Sequence, residues 1–331
     1  MTDTALPRPA APPMRAYVVL ALGLLAVSLA SIFIRMAQGE GVPSLVIAAG
    51  RLVIAALILT PFTLRRYQRH LRGLRRRDLL LVSVAGVFLG LHFILWITSL
   101  EHTSVLVSVV LVTTSPLWSA GLEAIFLRAA VTRLVLGGML LAVIGSVIIS
   151  LPGADAGVAL GSSPLLGSAL ALAGALAVSV YLVIGRSVRA RLPLLPYIWL
   201  VYGVAAITAL IAVFLSGASL TGHSPTGYAL LLALALIPQL IGHSAFNYVL
   251  EYVSATYVGI ATQLEPVISA ALALLLFQEM PRPLQIAGSA VVMAGVVLAT
   301  LGQSNPSAAA NIPETTPDRA THPARERPPA A

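Results

Sequence analysis

Glu265 stands immediately before Pro266, about ten residues into an apolar run, and this is the sharpest chemical feature of the chain. A charge near the middle of a bilayer is expensive unless it is paired or hydrated, so each one needs a reason. Pro266 lacks an N–H and loosens the helical ladder one turn back, which frees a carbonyl near residue 262. A carboxyl beside unsatisfied backbone is the equipment of a proton- or cation-coupled site. The competing structural reading is a protonated carboxyl hydrogen-bonded to a neighbouring helix.

Other polar groups fall at comparable depth. His92 and His243 occupy nearly matching places in two apolar segments. A histidine titrates near neutral pH and so can relay protons, although a neutral imidazole bonded to a carbonyl is equally ordinary. Asn247 lies one helical turn beyond His243 and shares its face. Gln263, Thr113 and Thr114 lie on the two segments that carry Pro266 and Pro116. Together these would line a polar cavity, and singly each could be an interhelical hydrogen bond. Trp96, one turn beyond His92, is placed either to stack on a substrate or to pack in the core. Arg51 either snorkels outward or pairs with a carboxylate or an anionic substrate. Arg35 ends the first apolar run, where a cation suits a helix C-terminus, and it is assigned no chemistry. Gly86 and Gly90, one turn apart, read as a close helix contact.

Several chemistries are absent from the sequence. There is no cysteine, which removes disulfides, thiolate metal sites and Cys nucleophiles. There is no lysine either, so the net charge of +8 rests on arginine and a P-loop cannot be built. No zinc-protease, nucleophile-elbow or dinucleotide motif occurs. No cofactor or metal is therefore expected, and uphill movement of a solute would draw on an ion gradient, on exchange or on a separate ATPase.

The elements that must position these groups are membrane helices. The chain has 331 residues, 58% of them hydrophobic and 10% charged. Its apolar stretches are too long for the strands of a β-barrel. Reading them against Pro, Gly and charge gives ten spans, at about 16–36, 43–63, 79–99, 104–126, 133–151, 165–185, 195–215, 228–249, 254–277 and 284–302. The first reads as an uncleaved anchor rather than a secretory signal. Residues 1–15 form a Pro-rich cytoplasmic tail, and 303–331 read as a disordered cytoplasmic tail.

The chain also repeats itself 150 residues on. Leu100-Glu101-x-x-Ser104 returns as Leu250-Glu251-x-x-Ser254, and Pro116-x-x-Ser119-Ala120 as Pro266-x-x-Ser269-Ala270. Gly138, Gly145 and Pro43 return as Gly288, Gly295 and Pro193. The repeated Glu101 and Glu251 precede serines that would cap the next helices, which fits a shared turn. Two five-helix repeats follow, 16–151 and 165–302. Five is odd, so the second enters the bilayer inverted. With both termini inside, seventeen arginines face the cytoplasm, seven of them in the loop 64–78, and Arg282 alone faces out. The expected fold class is an all-α membrane protein of ten transmembrane helices in two inverted repeats. Inverted halves are mostly found in carriers that alternate a central site between two sides.

The stretches "LHFILWITSLEHTSVLVSVVLVTTSPLWSA" and "GHSAFNYVLEYVSATYVGIATQLEPVISAALALLLFQE" resemble the EamA-type carriers of the drug/metabolite transporter superfamily. The most specific part is Leu264-Glu265-Pro266 followed by Phe277-Gln278-Glu279, close to that family's signature in the ninth helix. Arg51 also falls where such proteins often place an arginine. Ala129 and Ser115 depart from the pattern, which implies an asymmetric site. The resemblance implies a proton-linked or exchange-type exporter of small metabolites such as amino acids in the cell's plasma membrane. The other readings are a membrane-embedded enzyme or lipid scramblase, and a passive channel. Expected partners are a small-molecule substrate and anionic lipid headgroups near the arginine loops, with no nucleic acid. Assembly as a homodimer stays open.

Overall fold

In a computed structural model, residues 13–127, 132–150, 163–189, 191–249 and 261–303 are described, and every regular element among them is a helix. Eight stretches are long and apolar enough to cross a membrane: Met14–Gly39, Ser44–Arg66, Arg76–His102, Val105–Leu122, Pro164–Gly185, Leu194–Ser216, Pro225–Val249 and Pro283–Gly302. Two shorter apolar helices, Arg133–Ile148 and Thr262–Phe277, fall where the fifth and ninth spans are expected. The turn containing Glu251 and Ser254 lies outside the described residues.

The helices are bent where the sequence carries reasons to bend. The first span divides into α1 (Met14–Ser28) and α2 (Ala30–Gly39), with the Ser28 hydroxyl bonded back to the Leu24 carbonyl just before the break. Then come α3 (Ser44–Arg66), the short α4 (Gln68–Arg72) in the arginine-rich loop, and α5 (Arg76–His102). The fourth span is α6 (Val105–Val112) and α7 (Ser115–Leu127), separated by a turn at Thr113 and Thr114. Ser104 caps α6 by accepting the Val107 N–H at 3.3 Å, as its sequence position suggested. Next are α8 (Arg133–Ser150), α9 (Pro164–Arg189) and α10 (Leu194–Ser216). The eighth span is α11 (Pro225–Leu234), a π-helical segment Ala235–His243 containing Pro238, and α12 (Ser244–Val249). A 3₁₀ turn, Thr262–Leu264, leads into α13 (Glu265–Phe277), and α14 (Pro283–Gln303) completes the described chain.

The sequence repeat is a structural repeat. α3 and α10 are both 23 residues long, both follow a proline, and begin at residues 44 and 194. They pack against each other in opposite directions, since Trp199 near the start of α10 donates to Thr60 near the end of α3 at 2.9 Å. α5 packs on α9 as the π segment and α12 pack on α1, the same arrangement with the halves exchanged.

The repeated glycines meet at the crossing of α8 and α14. A Cβ on Gly295 would lie 2.6 Å from the Gly138 carbonyl oxygen, and one on Gly145 would lie 2.8 Å from that of Gly288. As residue numbers rise along α8 they fall along α14, so these equivalent helices are antiparallel. Two equivalent helices that cross antiparallel are related by an axis perpendicular to both, which is the geometry of inverted halves. Gly86 and Gly90 also make the expected close contact: Cβ atoms there would fall 2.6 Å from Val204 Cβ and 2.8 Å from Thr208 Cβ of α10. The larger apolar core is built mainly from α3, α5, α9 and α10, and a smaller one joins α6, α8 and α14.

Candidate functional site

Two contacts locate the local two-fold axis away from the glycine crossing. Phe93 of α5 and His243 of the π segment are 150 residues apart, and they meet edge to face with centroids 5.7 Å apart at 83°. Thr113 and Gln263 are likewise equivalent, and the Gln263 side-chain nitrogen donates to the Thr113 carbonyl at 3.3 Å. The exact counterpart of His243 is thus Phe93, not the neighbouring His92.

Arg51 sits against this axis. It is fully buried on α3, with no exposed surface, so it does not snorkel to either face. Its guanidinium carbon lies 4.1 Å from the Phe93 ring centroid, a cation–π contact. Nη2 donates to Gln239 Oε1 at 2.9 Å, whereas Nε and Nη1 are buried without a partner. The Tyr202 hydroxyl approaches Gln239 and Ser244 without reaching hydrogen-bond geometry, and the Gln239 amide nitrogen is also unpartnered. Among the described residues the ion pairs are Arg35–Glu279 and Asp78–Arg191, and neither involves Arg51. Beside this group, the His92 Nδ1–H donates to the Gly174 carbonyl at 2.9 Å, which fixes the tautomer. Trp96 stacks on His92 with centroids 5.9 Å apart at 14°.

A second polar zone surrounds the two helix breaks. The fourth span is interrupted at Thr113–Thr114, just before Pro116, and the ninth at Gln263–Leu264, just before Pro266. The breaks are equivalent positions, each one turn ahead of a proline that cannot donate to the ladder. Thr114 donates to the Leu111 carbonyl at 2.7 Å and accepts from Trp118 at 3.2 Å. Glu265 opens α13, is buried, and makes no hydrogen bond from its carboxyl to a described residue. One turn on, Ser269 donates to the Ser28 carbonyl at 3.0 Å, at the bend of the first span.

Comparison with known proteins gives a consistent picture. The profile of the EamA-like transporter family matches residues 14–151 and again 165–301, one match per structural half. The chain belongs to the EamA-like transporter family. A solved structure described only as "Crystal structure of protein" has a TM-score of 0.58 and 18% identity, covering 87% of this chain and 98% of its own. At that identity it shows a shared fold. No curated protein matches.

In this EamA-like protein the residues singled out from sequence divide between the two zones. Arg51, His92, Trp96 and His243 gather around Phe93, while Gln263, Thr113, Thr114 and Glu265 gather around the breaks. Asn247 turns its amide nitrogen back onto the His243 carbonyl at 2.8 Å, within its own helix. Among the described residues no three His, Asp or Glu side chains cluster as metal ligands would. Gln239 and Tyr202 were not singled out. Their signal was thin: Gln239 follows a proline inside an apolar run, and Tyr202 is one aromatic among many.

Arg35 lies within α2, ahead of its last turn, and reaches to other elements instead of serving its own helix end. Its Nη2 donates to the Thr103 carbonyl at 2.9 Å and lies 3.4 Å from Glu279 Oε1. The same Glu279 oxygen accepts the Val105 N–H at 2.9 Å, at the start of α6. One carboxylate and one guanidinium thus tie together the first span, the turn before α6 and the segment after α13. These contacts lie at the ends of the spans opposite the arginine-rich loop. The equivalent positions in the other half are Gly185 and Ala129, which cannot form such a pair.

Proposed function

We propose that this EamA-family protein is a secondary active carrier that moves small polar metabolites, such as amino acids, by proton coupling or exchange. The observation that carries the reading is the pair of equivalent helix breaks, in contact through Gln263 and Thr113 on the axis between antiparallel halves. A broken helix ends in free backbone groups, and placing two such ends on a two-fold axis supplies a central polar region that both mouths reach by related motions. A channel has no need of that equivalence, and a membrane-embedded enzyme or scramblase has no need of two halves.

The two short apolar helices count with the eight longer ones as ten spans in this reading. The arginine asymmetry puts both termini and the 64–78 loop in the cytoplasm, in the plasma membrane of the cell. The direction is export. Glu265, next to the ninth-span break, is the group whose protonation is linked to movement of substrate, and His92, His243, Asn247, Trp96 and Thr114 line the path. The test is counterflow in proteoliposomes loaded with a metabolite mixture. Saturable exchange that accelerates with internal substrate supports a carrier. Flux that never saturates marks a channel, chemically altered product marks an enzyme, and movement of labelled lipid marks a scramblase.

A further inference from the structure

We infer that the buried cluster of Arg51, Gln239, Tyr202 and Phe93 binds a single carboxylate group carried by the transported molecule. The inference deepens the carrier reading, since it names the chemical handle by which a cargo is held beside the axis. A buried cation is tolerated only when paired, and the only polar partner of Arg51 among the described residues is the neutral Gln239. The missing partner is therefore an anion.

The donor geometry narrows which anion. A guanidinium has five N–H groups arranged along two edges, each edge shared by Nη2 with either Nε or Nη1. Gln239 takes one Nη2 hydrogen, and Nε and Nη1 are both unpartnered. Whichever hydrogen is taken, one complete two-donor edge remains. A planar pair of oxygens fits that edge bidentately. The Gln239 amide nitrogen and the Tyr202 hydroxyl, both buried and unpartnered, add donors and no competing charge. One cation balances one negative charge, so a monoanion fits where a dianion such as hydrogen phosphate would leave charge uncompensated. Phe93 covers one face of the guanidinium, and the unpartnered N–H groups point along its edges. Pro238 and the π segment explain how Gln239 is presented there. The wider turn of a π-helix re-aims side chains relative to an α-helix, and such segments recur at functional sites.

The test uses the purified full-length chain and three matched probe pairs: lactate with lactamide, benzoate with benzamide, and N-acetylphenylalanine with its primary amide. Each pair keeps one body and exchanges a monoanion for a neutral group. Sodium chloride and inorganic phosphate serve as anion controls. The expected result is that at least one acid raises the thermal unfolding midpoint while its amide and both inorganic anions do not. Loss of a charge-assisted pair in Arg51→Met should weaken acid binding about tenfold or more. Gln239→Leu and Tyr202→Phe should weaken it less, and Gly121→Ala should leave the preference for acid over amide in place.

The inference is overturned if no acid outperforms its amide on the wild-type chain, or if chloride or phosphate acts equally well. It is also overturned if folded Arg51→Met keeps the preference. Should Arg51→Met fail to fold, an unchanged preference in both Gln239→Leu and Tyr202→Phe overturns it. Counterflow separates this failure from that of the carrier reading. Saturable exchange without acid preference removes the carboxylate site and keeps the carrier. Acid binding without exchange keeps the site and removes the carrier.

Discussion

At the scale of single residues, Glu265 carries the prediction that bears most on energy coupling. Its carboxyl is buried at a helix break, with no described hydrogen-bond partner to hold it in one protonation state. In the proposed cycle it takes a proton on the acidic side and releases it on the other, so a pH gradient drives net flux. Glu265→Gln preserves size and most hydrogen-bonding capacity. It should leave the thermal midpoint nearly unchanged yet abolish the dependence of flux on a pH gradient, while substrate-for-substrate exchange persists. Glu265→Asp should retain partial activity with a shifted pH optimum. Proteoliposome flux measured with and without an imposed gradient decides this. An unchanged rate and pH profile in Glu265→Gln would make the residue structural and move the search to His92 and His243. Glu265 stood out in the sequence because a carboxylate in an apolar run before a proline has few innocent explanations. Gln239 did not, because a lone amide in such a run is usually an interhelical hydrogen bond and its partner lies 188 residues away. Arg35 and Glu279 were both visible in the sequence, but their pairing across 244 residues was not.

At the scale of elements, the crossing of α8 and α14 is the contact most sensitive to added volume. Gly138, Gly145 and Gly295 each face a carbonyl of the opposite helix, and a Cβ on any of them would have to push backbone as well as side chains. Gly295→Leu should destabilise the fold by about 1–3 kcal/mol, the usual cost of overpacking, and Gly121→Ala serves as the comparison. A Cβ at Gly121 meets no described residue nearer than 4.0 Å, so that change should be close to neutral. Thermal midpoints of the two purified variants check the difference, and equal midpoints would remove the crossing as a critical contact. Repetition of Pro and Gly at a fixed offset made the equivalence of the halves readable, since these residues seldom match by chance in an apolar chain. The helix breaks were half readable. Pro116 and Pro266 say that a ladder is interrupted, but whether the chain answers with a turn, a 3₁₀ segment or a smooth kink depends on packing against the other half. The π segment has no local signature beyond Pro238, because widening a turn is chosen by what the helix touches.

At the scale of the whole molecule, the arginine asymmetry predicts orientation. Reporter fusions after residues 70 and 310 should both report cytoplasm, and an external signal from either would sink the inverted ten-span arrangement. The tie between Arg35 and Glu279 predicts a difference between the two mouths. Glu279→Gln should remove the ion pair while keeping an acceptor for the Val105 N–H, and should raise the accessibility of a cysteine placed at Ser28 to an impermeant thiol reagent. The chain has no native cysteine, so the label reads that position alone. Unchanged labelling would mean the tie does not hold the mouth shut. The same tie has a kinetic corollary. In the proposed carrier only one half has this pair, so the two end states would differ in energy although their scaffolds are related by a two-fold axis. With no gradient applied, equal concentrations on both sides can produce no net movement, whatever the internal asymmetry. That condition makes the ratio of maximal rate to half-saturation concentration identical in the two directions, while leaving each quantity separately free to differ. In such a carrier the tie sets on which side transport saturates at the lower concentration, and it cannot set which way the cargo finally goes.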